Sequence, residues 1–503
     1  MKYLFVTIIA WSLLFLSGCG AGTQQTADSL PDHVYEEIPI EPEEEPHNEV
    51  EEPAVEPVVE TLSVIEGEHI CFKQEYFVDD IPPYDFPICI NLAAQFFAEL
   101  CALFTQDGGY LWGRHLHTPF IFLCTDTRAI VANQQDSLGI LTPMGYVYVG
   151  TLPEDFPAIY SIPNIGDRQW AMVPWDFLPH EDDENNSRMR YMAHLSFHVQ
   201  QTPLFGSSSG WDNSHVNQER FRISIQLEVN ALLQALQSEG EARFNAAHDA
   251  LVIRAERRQG MSFSRRTSET ALEFHEGITN YTDAILSGVS MEQIIYAVST
   301  VAGNMRYQQS MAGIFGYVTG ELYGHLLDYT GANWRESVHR NSDLGDMLQE
   351  ALGIDELRLI SEVDLSLYGY YEIVDFETER TVTHAQMLED IRVAFTTETT
   401  LIISPGFDSG NIMLNPSRIQ DVPGMGQAFG ADVTVPGTFG DLRLYDGFYL
   451  RQFDPMTGML SGAVIATGIQ KDGNIITAPG WVLELNDGYG VRYEDGHYVL
   501  YRD

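Results

Sequence analysis

Two stretches decide how this chain reads: residues 187–201, SRMRYMAHLSFHVQQ, and residues 271–281, ALEFHEGITNY. The first carries apolar residues at helical spacing and places His194 and His198 four apart, one turn along one face of a helix. Two imidazoles so placed suit a metal ion, since each offers one nitrogen from the same side. The second lies in a helical run over Thr267–Leu286 and holds a Glu276-Gly277 pair, with the aromatic Tyr281 about a turn further on. Helical periodicity extends outward from both, through Asn217–Leu236, Glu241–Arg258, Met291–Thr300 and Met305–Tyr329, so residues 181–355 are expected to form a mainly helical core. On the amino side, residues 62–180 mix one apolar helical run, Ile90–Phe104, with short strand-like runs such as Pro119–Cys124, and read as a mixed α+β unit. On the carboxyl side, residues 356–503 are rich in Val, Ile, Thr, Tyr and Gly, with turn signals such as Lys471-Asp472-Gly473-Asn474, and read as β-rich. The expected class is α+β.

The chain has 503 residues, 44% of them hydrophobic, which is ample for two or three folded units. Its 72 Asp and Glu against 27 Lys and Arg give a formal charge of -45, which repels phosphate backbones and excludes nucleic acid as a partner. Residues 1–18 pair Lys2 with an apolar run from Tyr3 to Leu16, as a secretory signal peptide does. Leu16-Ser17-Gly18-Cys19 then resembles a bacterial lipobox, which implies that Cys19 becomes the lipidated amino terminus. After Cys19, residues 20–61 contain no Lys or Arg, many acids and six prolines, a composition that cannot bury a core. Residues 19–61 are therefore expected to be an extended, disordered tether, holding a lipid-anchored protein on the extracytoplasmic face of the cell membrane. Four further cysteines, Cys71, Cys89, Cys101 and Cys124, allow two disulfides outside the cytoplasm or a reduced set.

The histidine pair and the later Glu-Gly pair together resemble the gluzincin branch of the zincin metallopeptidases, where a helix bearing His-Glu-x-x-His precedes a second helix bearing Glu-Gly. A wider resemblance, to bacterial peptidase-like lipoproteins, rests on Asp107-Gly108-Gly109-Tyr110-Leu111-Trp112-Gly113, Thr127-Arg128, Val131-Ala132-Asn133, Gln226-Leu227-Glu228 and Ile253-Arg254-Ala255. The resemblance implies a zinc ion held by His194, His198 and Glu276, with Tyr281 as an oxyanion donor and Asn280 behind a ligand. One position departs from it. Leu195 stands where the family has the Glu that moves protons, and leucine moves none. Glu273, three residues before Glu276 and so on nearly the same face of an α-helix, and Glu228 are the candidate replacements for that base. His275, about 100° around the helix from Glu276, is not expected to be a ligand.

These readings give one leading expectation: a membrane-anchored, zinc-binding, peptidase-like protein that binds peptide or protein with hydrolysis impaired, a pseudoenzyme. Two alternatives stand beside it, an active zinc peptidase using Glu273 or Glu228 and a metal-free binding or scaffolding lipoprotein.

Overall fold

The computed structural model describes residues 86–502, apart from 155, 157–160, 181–185, 207–211, 309, 405–406, 408–411, 413–418 and 455–458. The expected signal peptide, Cys19, the tether and Cys71 lie outside the described residues.

The chain is an α+β protein with a β-rich carboxyl-terminal region. Its first described helix, α1 (Ile90–Asp107), lies against a five-stranded sheet built from β1 (Phe120–Leu123), β2 (Ala129–Ala132), β3 (Thr142–Met144), β4 (Val147–Thr151) and β7 (Ala171–Pro174), in the order β3-β4-β2-β1-β7. A two-stranded hairpin, β5 (Asn164–Ile165) and β6 (Arg168–Gln169), comes just before β7. Strand β1 is FIFL and buried along its whole length, because both faces of the sheet are covered. Phe120 and Phe122 meet α1, with Phe97 and Phe122 stacked at 4.5 Å, while Ile121 and Leu123 enter a second apolar cluster with Trp170 and Met172. The sheet is antiparallel except where β7 runs parallel to β1. The chain then enters α2 (Ser187–Phe205), the histidine helix.

Helices α3 (Glu219–Gln237), α4 (Gly240–Arg258), α5 (Phe263–Leu272), α6 (Ile278–Leu286), α7 (Met291–Met305), α8 (Phe315–Thr330), α9 (Trp334–Ser337) and α10 (Leu344–Ala351) complete the helical core. Local chemistry sets several of their ends: Ser290 and Gln293 form a capping box at the start of α7, and the Asp343 carboxylate accepts from the Gly345 and Asp346 amides at the start of α10. Between α5 and α6 the backbone makes one π-helical turn, Glu273–Gly277. Two glycines one turn apart on α8, Gly316 and Gly320, let it press against this turn, and Gly324 makes room for the Tyr281 ring. A Cβ on Gly277 would sit 2.4 Å from the Gly320 Cα, and one on Gly320 would sit 2.4 Å from the Glu273 carbonyl oxygen.

The carboxyl-terminal part does not begin with strands. Residues Tyr370–Thr397 form α11, 28 residues long, despite their β-branched content. Propensity is the weaker influence there, because α11 docks on α3 through the buried pair Arg222–Glu377, with Nε to Oε2 at 2.8 Å, and buries Ile373 and Ile391. Strands follow from Thr400 to Arg502, in one seven-stranded and one five-stranded sheet that enclose Leu401, Val435, Leu442, Trp481 and Leu483. Two disulfides do not form: Cys101 is disulfide-bonded, but Cys89 and Cys124 are free thiols. An even count of cysteines does not by itself bring two pairs within bridging distance.

Candidate metal centre

His194 and His198 project from α2, and Glu276 projects toward them from the π-helical turn. The Nε2 atoms of the two histidines are 3.1 Å apart, and Glu276 Oε2 lies 3.4 Å from His198 Nε2 and 3.9 Å from His194 Nε2. Zinc bonds of about 2.0–2.1 Å in a tetrahedron put neighbouring ligand atoms roughly 3.3 Å apart, so these three edges are close to those of a zinc site. All three residues are buried, at 2%, 5% and 0% exposure for His194, His198 and Glu276. They are the one group of three or more potential metal ligands among the described residues.

Hydrogen bonds behind the histidines settle which nitrogens face the centre. Gln201 donates its amide Nε2 to the His275 carbonyl at 2.7 Å and to Thr279 Oγ1 at 2.9 Å, so its Oε1, 2.9 Å from His198 Nδ1, must accept from that nitrogen. Asp283 Oδ2 is 3.1 Å from His194 Nδ1, while Asp283 Oδ1 accepts from Arg190 Nε at 2.7 Å. Burial pushes the Asp283 carboxyl up to about 7 against the pull of Arg190, so above neutral pH it is the acceptor for His194 Nδ1–H. Both imidazoles thus carry their proton on Nδ1 and aim an Nε2 lone pair at one point. Neither oxygen of the buried Glu276 carboxylate has a hydrogen-bond partner among the described residues. Two lone pairs and an uncompensated carboxylate facing one another are mutually repulsive without a cation between them.

The titration tendencies express the same demand. Burial and the neighbouring His198 hold His194 well below the ordinary imidazole range. Burial acts on His198 in the same direction, but there the Glu276 carboxylate outweighs it and the net shift is upward. A proton at this point satisfies one donor pair, whereas a divalent ion satisfies all three donors together. The residues therefore fit a zinc ion, and the fit rests on the stranded Glu276 carboxylate rather than on histidine spacing alone.

Neither replacement base is placed to serve. In a π-turn, with i to i+5 bonding and about 4.4 residues per turn, positions three apart diverge by roughly 115° rather than the 60° or so of an α-helix. Glu273 accordingly faces away from Glu276 and takes Arg254 in a two-pronged pair, with Thr319 Oγ1 donating to its Oε1 at 2.8 Å. Glu228 accepts from Arg254 at 3.0 Å, Arg257 at 2.7 Å and Tyr323 OH at 2.7 Å. Tyr281, the expected oxyanion donor, has its hydroxyl bonded to Asp328 Oδ2 at 2.6 Å and to Arg335. Asn280 donates to Glu321 Oε2 at 3.3 Å. Leu195 is fully buried in the main apolar core.

His275 is the main surprise. Its ring centroid lies 4.6 Å from that of His198, against 4.7 Å between His194 and His198, and its Nε2 is 3.6 Å from Glu276 Oε1. Burial, with His198 and His194 adding to it, holds its imidazole well below the ordinary range. Nothing in the local pattern flags the π-turn that carries it there. Gln201 and Asp283, by contrast, stand three residues after His198 and seven after Glu276, spacings that share a helical face with the ligands and that mark them in the sequence.

Compared with known proteins, the chain matches no protein-family model, no curated protein and no solved structure.

Proposed function

We propose that this protein binds one zinc ion through His194, His198 and Glu276 in a gluzincin-like site that has lost its proton-moving acid, and that it holds peptide or protein ligands without cutting them efficiently. The observation that carries this reading is the buried Glu276 carboxylate, without a hydrogen-bond partner among the described residues and facing two imidazole nitrogens. Bound there, zinc supplies a Lewis acid for a peptide carbonyl. The chain's own groups supply too little of the rest. Leu195 is buried in the apolar core and carries no acid, Glu273 and Glu228 are occupied by guanidinium groups, and Tyr281 is occupied by Asp328 and Arg335. General acid–base transfer typically contributes about 10² to 10⁴ in rate, so its loss leaves slow hydrolysis at most.

Metal analysis tests the centre. Protein stripped with a chelator and dialysed at pH 8 against limiting zinc is expected to retain about one equivalent per chain, as a single three-ligand site would. His198→Ala and Glu276→Ala should retain none. Zinc present at about 1,000 times its dissociation constant should stabilise the native chain by roughly 4 kcal/mol, read as a higher melting temperature that both variants lack. Equal zinc uptake by the native chain and both variants would remove the proposal, and so would peptide cleavage by the native chain at ordinary peptidase rates.

The location belongs to the same proposal and rests on Leu16-Ser17-Gly18-Cys19 with the proline-rich acidic stretch after it. No helix among the described residues is long and apolar enough to cross a membrane. Cys19→Ala is expected to move the protein from the membrane fraction to the soluble extracytoplasmic fraction. Its retention on membranes after signal removal would place the anchor elsewhere.

A further inference from the structure

We infer that the cavity between α3, α7 and the start of α11 is a second binding site, which takes the free carboxyl end of a short peptide with an apolar last residue. The inference rests on this cavity alone and not on the zinc-binding reading, since no residue lining it belongs to the metal centre. The cavity holds about 500 Å³, within the roughly 300–1,000 Å³ of small-ligand sites. Helix α3 forms one wall, with Gln226, Asn230, Gln234 and Gln237 at helical spacing along it. Ser299, Gly303 and Arg306, on and just after α7, form the facing wall, and Leu367 to Gly369 with Ile373 close the end.

Arg306 carries the argument for a carboxylate. Its guanidinium carbon lies 4.3 Å from the centre of the Phe376 ring, a stacking contact that fixes the group and uses none of its hydrogens. Its Nε is buried without a hydrogen-bond partner among the described residues, and no carboxylate pairs with it there. In a chain with 72 Asp and Glu, the residues lining the cavity include none. Behind the wall, Glu377 accepts from Gln226 at 2.7 Å, but Arg222 and Arg380 both pair with it. The cavity is thus locally cationic inside an acidic protein, and a planar fork with open donors suits a carboxylate.

The other lining residues describe what the carboxylate is attached to. Asn230 Nδ2 donates to the Tyr368 carbonyl at 2.8 Å, which leaves its Oδ1 as an acceptor. The side chains of Gln234, Gln237 and Ser299 bond to no described residue, so each offers a donor and an acceptor together. A peptide unit, with one N–H and one C=O, uses both. Val229, Leu233, Ala302 and Ile373 add an apolar surface for an aliphatic side chain. A sugar acid leaves that surface unused, and an inorganic anion leaves the amides unused. Leu367, 60% exposed, places the mouth of the cavity at solvent.

The test is calorimetric titration of the full chain with acetyl-Ala-Leu bearing a free carboxyl end, and with its carboxamide. The acid is expected to bind at one per chain and at least about 10-fold more tightly than the carboxamide, because a hydrogen bond to a charged group is worth roughly twice a neutral one. Arg306→Gln should weaken binding of the acid at least about 10-fold and remove that preference. Gly303→Phe puts a ring where a Cβ meets no atom within 4 Å, and should abolish binding of both probes. Its melting temperature should be unchanged or higher, because glycine is a poor helix former, so this variant serves if Arg306→Gln does not fold. A probe held by the zinc ion instead would bind both variants as it binds the native chain. That result, equal binding of acid and carboxamide, or no binding of the acid at about 10 mM would overturn the inference while leaving the zinc centre standing.

Discussion

Arg257→Met is expected to destabilise the fold by about 3–5 kcal/mol, the usual cost of stranding buried charges. Arg257 is completely buried and binds Glu269 through Nη1 and Glu228 Oε2 through Nη2, the latter at 2.7 Å. Arg254 and Arg258 extend the cluster to Glu273 and Asp343, so three cations on one face of α4 meet four carboxylates from four other segments. Methionine fills the volume but leaves Glu269 with Arg258 and His215, and Glu228 with Arg254 and Tyr323. Against a typical total stability of 5–15 kcal/mol, such a loss is read directly in urea midpoints. A shift under about 1 kcal/mol would mean that the remaining partners suffice.

The same cluster sets a pH limit. Burial raises the carboxyl groups of Glu228, Glu269 and Asp343, but their arginine partners outweigh it, and all three titrate below their ordinary values in the folded chain. Depressed folded values give stability that is complete above the unfolded range, near pH 4, and that is lost as pH falls toward the folded values. Native protein should therefore unfold progressively more easily below about pH 4. The methionine variant should show a shallower acid dependence, because less of its stability depends on those ionised groups.

The sequence made the histidine helix legible because the period of 3.6 alone puts His194 and His198 on one face, and no tertiary contact is needed to read it. Glu276 was legible for a different reason, through its likeness to a known motif, although it lies 78 positions beyond His198. The π-turn was not legible. It depends on Gly277 meeting Gly320 and on Glu273 meeting Arg254, contacts between segments separated along the chain, and both the reassignment of Glu273 and the approach of His275 follow from it. Helix α11 escaped for a similar reason, since its buried Glu377 finds Arg222 from 155 positions away. Local pattern thus predicts what local geometry enforces. Where packing bends a helix out of its usual period, side-chain directions counted by that period fail.

That failure leaves the position at which the resemblance breaks as the experiment with the largest expected gain, the Leu195→Glu variant. It restores a carboxyl one residue after the first ligand, at a fully buried position in the apolar core. The new acid resists ionisation there, and the apo protein should be less stable than the native chain. With zinc at pH 8 the variant should cleave a fluorogenic peptide library at least about 10²-fold faster than the native chain, the low end of what acid–base transfer contributes. If the variant is folded and zinc-loaded yet inert, the missing acid is not what separates this protein from a working peptidase, and the geometry of its substrate cleft has to be.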